Sequence, residues 1–292
     1  MFTDNPLLLV GLAAVTLALP QLALRWQLPL LRVASRWARW LLCGVLFATG
    51  LELFELSTRP AAVHFVTGLA LWFLLETGYN WIAIKALSQS DLPLFPKFRI
   101  NQDGDEWPAD RHALAIKDWL RAHNYQRLDA LKAELYEKTY LRTSIYQHPE
   151  TYTRLQVLFI PQPKGGAIAC FTLTNQGPEN QRLITDNYFL PYGGFYPEAW
   201  QHLRKPLLGS LARLHKLHEG RLKKSAWLAT PFEDSALEEV DEQQRTLEQL
   251  NIETGFLVPR GRQAEEGKMT YEGRYRLWKE MWLLAYFGKS MS

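Results

Sequence analysis

Residues 61–87 read AAVHFVTGLALWFLLETGYNWIAIKAL. This is the last long apolar run in the chain, and its reading decides the fold. Charges are sparse from Phe2 to Leu87, whereas acids and bases are dense and nearly balanced from Phe95 onward. A helix rising about 1.5 Å per residue over this run is long enough for a hydrocarbon core about 30 Å thick. The run therefore separates an apolar anchor, residues 1–87, from a water-soluble domain, residues 97–292, with 88–96 (SQSDLPLFP) as a proline-stopped linker.

Two apolar runs precede it. Pro6 to Leu24, roughly 19 residues, is just long enough to cross a bilayer, and Thr16 and Pro20 are tolerable in such a helix. The leading MFTDN has no base and carries Asp4, and no small-x-small cleavage site follows, so an uncleaved helix is expected. Trp40 to Leu56 is shorter and has Glu52 and Glu55 near its end. Only Ser57 to Pro60 separate it from the third run, which makes a tight antiparallel hairpin. The expected spans are 6–24, 40–56 and 61–85.

Arg25 to Arg39 reads RWQLPLLRVASRWAR. It holds Arg25, Arg32, Arg36 and Arg39 without an acid, beside Trp26, Trp37 and Trp40. The positive-inside bias puts this connection in the cytoplasm, with the tryptophans as an interfacial belt. The N-terminus and the 57–60 turn then lie outside. The chain reads as a multi-pass protein of the inner (plasma) membrane with its C-terminal domain cytoplasmic. If the 40–56 segment only re-enters the bilayer, the domain lies instead on the side of the N-terminus.

The totals exclude some classes. A formal charge of +3 over 292 residues gives no footprint for nucleic acid. The two cysteines, Cys43 and Cys170, lie in an apolar run and a strand, which argues against a disulfide framework. No cofactor or metal motif is present.

In the soluble domain the periodicity predicts helices over Ala109–His123 and Gln126–Lys138, the latter from Leu128, Leu131 and Leu135. Strands follow at Tyr140–Gln147, Thr153–Ile160, Ala167–Thr174 and Gln181–Thr185, with a turn at Pro161–Gly166. Short connections make them an antiparallel meander. A helix is expected from Pro197 to Lys224, with a break at Pro206. Thr230-Pro231-Phe232-Glu233 reads as a capping box opening an acidic helix to Leu250. A last helix begins at Thr270 and stops at Gly288. The fold class is a membrane-anchored α+β protein: a three-helix transmembrane region, then a meander flanked by helices.

Candidate sites are few. Glu76, followed by Tyr79 and Asn80, is a carboxylate inside an apolar span and must be paired or lose its charge. It is read as packed inside the helix cluster, hydrogen-bonded to Tyr79, Asn80 or backbone, with a proton or ion path as the sharper alternative. The loop DNYFLPYGGFYP, residues 186–197, gathers five aromatics and a Gly-Gly pair between a strand and an expected helix. Asp186, Asn187, Tyr192, Gly193, Gly194 and Tyr196 are its candidate ligand- or partner-binding residues; the alternative is a loop that completes the core. Arg213, Lys216, Arg221, Lys223 and Lys224, with Arg204 and Lys205, form a basic helix suited to anionic headgroups or to pairing with the acidic helix after it. His215 and His218 lack further ligands at a useful spacing for a metal. Tyr271, Tyr275, Trp278, Trp282 and Tyr286 recur at helical spacing as core, and Arg274, Arg276, Lys279 and Glu280 read as solvated flanks.

The function expected from these features is a non-enzymatic, membrane-tethered adaptor or scaffold whose cytoplasmic domain binds a protein or small ligand. The alternatives are a membrane-bound enzyme acting on a lipid or lipid-linked substrate, with Asp186 or His215 as acid/base, and an accessory subunit of a transport or secretion complex that partners Glu76.

Overall fold

The computed structural model describes residues 6–26, 28–136, 139–162 and 166–291. The leading MFTDN and part of the expected 161–166 turn lie outside them. Three long helices come first: α1 (Pro6–Trp26), α2 (Pro29–Leu53) and α3 (Ala61–Gln89). Among the described residues α3 alone is long and apolar enough to cross a membrane, and 17% of its most apolar window is buried, unlike the core helix of a soluble protein. Leu9–Ala23 of α1 is a shorter apolar stretch. In α2 the arginines dilute the apolar half. The three-span anchor therefore reduces here to one qualifying helix with two companions.

Arg25 to Arg39 is not a loop. Pro29 starts α2 in the first-turn position, where its missing N–H costs nothing. Arg32, Arg36 and Arg39 thus fall on one helical face, three and four residues apart. Helices α2 and α3 approach closely at Gly44 and Gly68: a Cβ on Gly68 would stand 2.7 Å from Cβ of Phe47 and 3.0 Å from Cα of Gly44. Small residues at such a crossing let helix backbones pack directly.

The domain is mixed α+β around one seven-stranded sheet. In chain order its elements are β1 (Arg99–Ile100), α4 (Arg111–Ala122), β2 (Gln126–Tyr136), β3 (Thr139–Gln147), β4 (Arg154–Pro161), β5 (Ala167–Gln176), β6 (Arg182–Asp186) and β7 (Trp200–Arg204). Then come α5 (Leu211–Leu222), α6 (Ala236–Glu253), α7 (Gln263–Glu266) and α8 (Tyr271–Phe287). Sheet order follows chain order, antiparallel from β1 to β6; β7 then joins β6 in parallel.

Adjacent residues on a strand point to opposite faces. Tyr146 faces Ile116 and Leu120 of α4 and Leu211 and Leu214 of α5, together with Leu155, Val157, Phe171 and Leu173. Its neighbour Ile145 faces Ala236 and Val240 of α6, with Leu131. Glu239 of α6 is buried on that side between Arg182 and Arg154 of the sheet, bonding Arg182 directly.

Three expected helical features give way. Gln126–Tyr136 is a strand although Leu128, Leu131 and Leu135 fit a helical period. Leu131 and Ala133 also fit alternation, and hydrogen bonds to β1 and β3 on both edges decide the outcome. Trp200–Arg204 is a strand because β6 offers it a free edge, so the helix expected from Pro197 shrinks to Leu211–Leu222. Thr230 does not cap a helix: its N–H bonds Gln176 O at 2.8 Å as a bridge on the sheet. The capping box is built five residues later, by Ser235 and Glu238.

Helix α8 is capped by the Thr270 side chain and ended by left-handed Gly288. It lies along α2 and α3. Ile84 of α3 meets Leu277 of α8 with Phe256, Leu257 and Met269 in one apolar cluster. The expected linker is pinned as well. The Met269 N–H donates to Ser88 Oγ at 3.0 Å, and the Lys268 ammonium reaches the carbonyls of Ser90 and, at 2.6 Å, of Leu92.

Candidate functional site

The 186–197 segment is the crossover between parallel strands. Such a connection usually runs through a helix of a dozen residues or more; here irregular backbone spans it, so its polar groups need partners from elsewhere. Helices α8 and α6 supply several of them. Buried Glu280 accepts from the N–H groups of Tyr192 (3.1 Å) and Gly193, and Arg276 donates to Gly193 O at 2.8 Å while stacking over Phe195. Asn251 of α6 accepts from Phe195 N–H at 2.7 Å, donates to Phe195 O, and holds the Tyr192 hydroxyl at 2.9 Å. Gly194 lies against this Asn251 side chain. Gly193 has φ +69, and a Cβ there would stand 2.9 Å from the Leu277 backbone, so only glycine lets the crossover touch α8.

Asp186 and Arg204 are register partners at the ends of β6 and β7. Arg204 Nε donates to Asp186 Oδ1 at 2.9 Å, and His202 Nε2 meets Oδ2 at 2.6 Å. The guanidinium also reaches Leu190 O and the Tyr196 hydroxyl, each at 3.1 Å. Burial pushes the Asp186 pKa up, but the Arg204 charge and the two hydrogen bonds outweigh it and hold the group below the ordinary carboxylate value. Burial raises the Tyr192 and Tyr196 hydroxyls far above theirs. Asn187 closes the other side: its Oδ1 accepts from Phe171 N–H at 2.7 Å and its amide donates to Leu208 O at 2.9 Å. The six candidate residues are thus brought together, but in a closed network. The glycines are followed by β7 and not by the expected helix.

What the crossover presents outward is Phe189, Leu190 and Pro191. Phe189 and Pro191 wall a cavity of about 430 Å³ whose other sides are α1, α2 and α8. Its polar wall is Arg32, Ser35, Arg36 and Arg39 of α2. Arg32 sits over the Phe189 ring at 5.6 Å. From sequence these arginines carry a topology signal alone; their helical spacing is the signal that groups them.

Glu76 lies beside this cavity. It faces inward, where Arg36 Nη1 reaches Oε1 at 2.5 Å and the Tyr286 hydroxyl donates to Oε2. Tyr79 points away, 71% exposed, while Asn80 is buried. The hydroxyl that Glu76 engages comes from α8, not from its own helix. Trp37 Nε1 donates to Tyr286 O at 2.8 Å, and the Tyr286 ring stacks on Trp282. Glu280 and Arg276 of the same helix are working contacts rather than solvated flanks.

The basic helix splits. Arg213, Lys216, Lys223 and Lys224 of the α5 region are exposed. Arg221 is turned inward, donating to Ile184 O (2.6 Å), Thr185 Oγ1 (2.6 Å) and Gln201 O (2.7 Å). The carboxylate of α6 buried against the domain goes to the sheet arginines, not to α5. His215 and His218 diverge. His215 packs on Trp119 and Tyr125. His218 is buried between Thr185 Oγ1 and Asn175 Oδ1, each at 2.8 Å. Because the Asn175 oxygen only accepts, Nε2 carries the proton and Nδ1 accepts from Thr185. Burial, with Arg221 and His215 adding to it, lowers the His218 pKa to about 3. Among the described residues no group of His, Cys, Asp and Glu could hold a metal ion.

Compared with known proteins, the chain matches no family model, no curated protein and no solved structure.

Proposed function

We propose that this chain is a non-enzymatic, membrane-tethered binding module of adaptor or scaffold type. In this reading α1, α2 and α3 form a multi-pass anchor in the inner (plasma) membrane, and the sheet domain sits on the cytoplasmic side. The ligand or partner docks where the 186–197 crossover meets the arginine face of α2. The observation that carries the reading is that cavity, which joins outward crossover residues to three arginines of the anchor. Two others support it. Glu76 finds its partners within the chain, which favours a packing role over an ion path. The Asp186 carboxylate is fully engaged by Arg204, His202 and the Tyr188 N–H, which suits a scaffold better than an acid/base.

Two experiments test it. Reporter fusions at residues 30, 59 and 95 are expected to report inside, outside and inside; an external signal at 95 overturns the cytoplasmic domain. A photoreactive amino acid at the exposed Leu190 is expected to capture a lipid or protein adduct in cells. Capture of nothing beyond the chain itself removes the binding role.

A further inference from the structure

The binding-module reading leaves the ligand class open, and the cavity beside Glu76 narrows it. Arg32, Arg36 and Arg39 share one face of α2 with Ser35, and all four line the cavity. Their charges are not equal. Arg36 is neutralised by Glu76. Among the described residues no carboxylate lies within ion-pair distance of Arg32 or Arg39. Ser35 is 2% exposed, and its Oγ has no hydrogen-bond partner. A buried hydroxyl left unmatched costs free energy that a bound acceptor recovers. Two guanidiniums without an ion-pair carboxylate (Arg39 held only by a long 3.4 Å bond from its Nε to Ser35 O) and one idle hydroxyl on the same wall describe a receptor for a multi-oxygen anion, for which phosphate is the common chemistry.

The remaining walls choose the source of that phosphate. Pro20 and Ala23 of α1 and Leu284 of α8 are apolar, as is Phe189. A free inorganic ion gains nothing from them, whereas the glycerol and first acyl carbons of a lipid would bury against them. Trp26 and Trp37, both partly exposed on the same helices, flank this level of the anchor as interfacial tryptophans do. Basic pockets between membrane helices at this level suit anionic headgroups.

Resting on the proposed membrane-anchored reading, we infer that this cavity binds the headgroup phosphate of an anionic phospholipid, with Arg32 and Arg39 pairing its oxygens and Ser35 donating its hydroxyl. No neutralising carboxylate is left for a choline, so zwitterionic lipid is disfavoured.

The test uses the full chain in nanodiscs of phosphatidylcholine with and without phosphatidylglycerol, with retained lipid read by native mass spectrometry. Wild type is expected to keep phosphatidylglycerol preferentially. The double substitution R32Q/R39Q is expected to lower that retention by about tenfold per arginine. Ala285→Leu narrows the cavity while sparing every charge, and is expected to lower retention with the fold intact. Arg25→Gln, at the end of α1 and outside the cavity, is expected to leave retention unchanged. Equal retention by wild type, R32Q/R39Q and Ala285→Leu overturns the inference. Displacement of the lipid by inorganic phosphate at matched concentration overturns the lipid assignment in favour of the free ion. A chain that fails to enter nanodiscs and leaves membranes in alkaline carbonate sinks the anchored reading and this one together. A chain that inserts with the expected topology but shows no lipid preference sinks only this one.

Discussion

Replacing Tyr286 by Phe isolates the contact that joins α8 to α3. The ring contacts with Trp37, Trp40 and Trp282 survive, while the hydroxyl bond to Glu76 is lost. A hydrogen bond to a charged acceptor is worth about 1.5–3 kcal/mol, and Tyr286 is buried, so a loss of about 2 kcal/mol is expected. Glu76→Ala removes both partners' acceptor. Breaking a fully buried ion pair costs about 3–5 kcal/mol. Here the Glu76 side chain is 6% exposed but that of Arg36 is 40% exposed, so the arginine can turn to water and the ion-pair part falls to about 1–2 kcal/mol. With the tyrosine bond added, Glu76→Ala should cost about 3–4 kcal/mol. The two losses share the tyrosine bond, so the double variant should be less damaged than the sum by about 2 kcal/mol. Thermal unfolding in detergent, followed by tryptophan fluorescence, reads this directly, since Trp37, Trp40 and Trp282 surround the site. At about 2 °C per kcal/mol for a chain of this size, Tyr286→Phe should lower the Tm by about 4 °C. Additivity within about 0.5 kcal/mol would refute the shared Tyr286–Glu76 contact.

Other expectations follow from single features. Gly193→Ala places a side chain at φ +69 against the Leu277 backbone and should cost about 2–4 kcal/mol. Gly220→Ala, in open space inside α5, should instead stabilise by about 0.5–1 kcal/mol. His218 is neutral when folded, with its pKa lowered to about 3. The unfolded chain therefore binds the extra proton first. Stability is full above about pH 6.5 and falls by about 1.4 kcal/mol per pH unit as the pH drops toward 3. His218→Gln should flatten that slope in an acid titration of the Tm; an unchanged slope would show that His218 is not its source. Cys170 is buried, and burial raises its thiol to about 12, so maleimide should modify it only after unfolding, as read by mass spectrometry in denaturant.

Strands β3 to β6 were legible because β-branched and aromatic residues alternate there and the connections are short. Helix α8 was legible from Thr270 and Gly288, which mark its two ends. Strand β2 was not, since Leu128, Leu131 and Leu135 satisfy a helical period as well as Leu131 and Ala133 satisfy alternation; only strands elsewhere in the chain break the tie. β7 is WQHLR, five residues without a strong pattern, and it owes its state to the open edge of β6. The 186–197 segment was recognisable as special, but its controlling residues were not, because Glu280, Arg276 and Asn251 lie far along the chain. For Glu76 the sequence showed that a partner was needed and could not show Tyr286, 210 residues later. The arginine cavity was hidden by reading Arg25 to Arg39 as a connection, which scattered three side chains that Pro29 and helical geometry gather.

The same separation along the chain sets an order of assembly. Arg36 and Glu76 are synthesised together, so their ion pair is available as soon as α2 and α3 meet. Tyr286, Trp282 and the Lys268 grip on the end of α3 arrive only after β1 to β7 have all been made. If, as proposed, α2 and α3 insert during synthesis, the hairpin would enter the bilayer with its carboxylate half-satisfied, and α8 would complete it later. A ribosome stalled shortly before residue 270 would hold a chain whose sheet can form but whose Glu76 still waits for Tyr286, a kinetic window in which the arginine face of α2 would meet insertion machinery or lipid first.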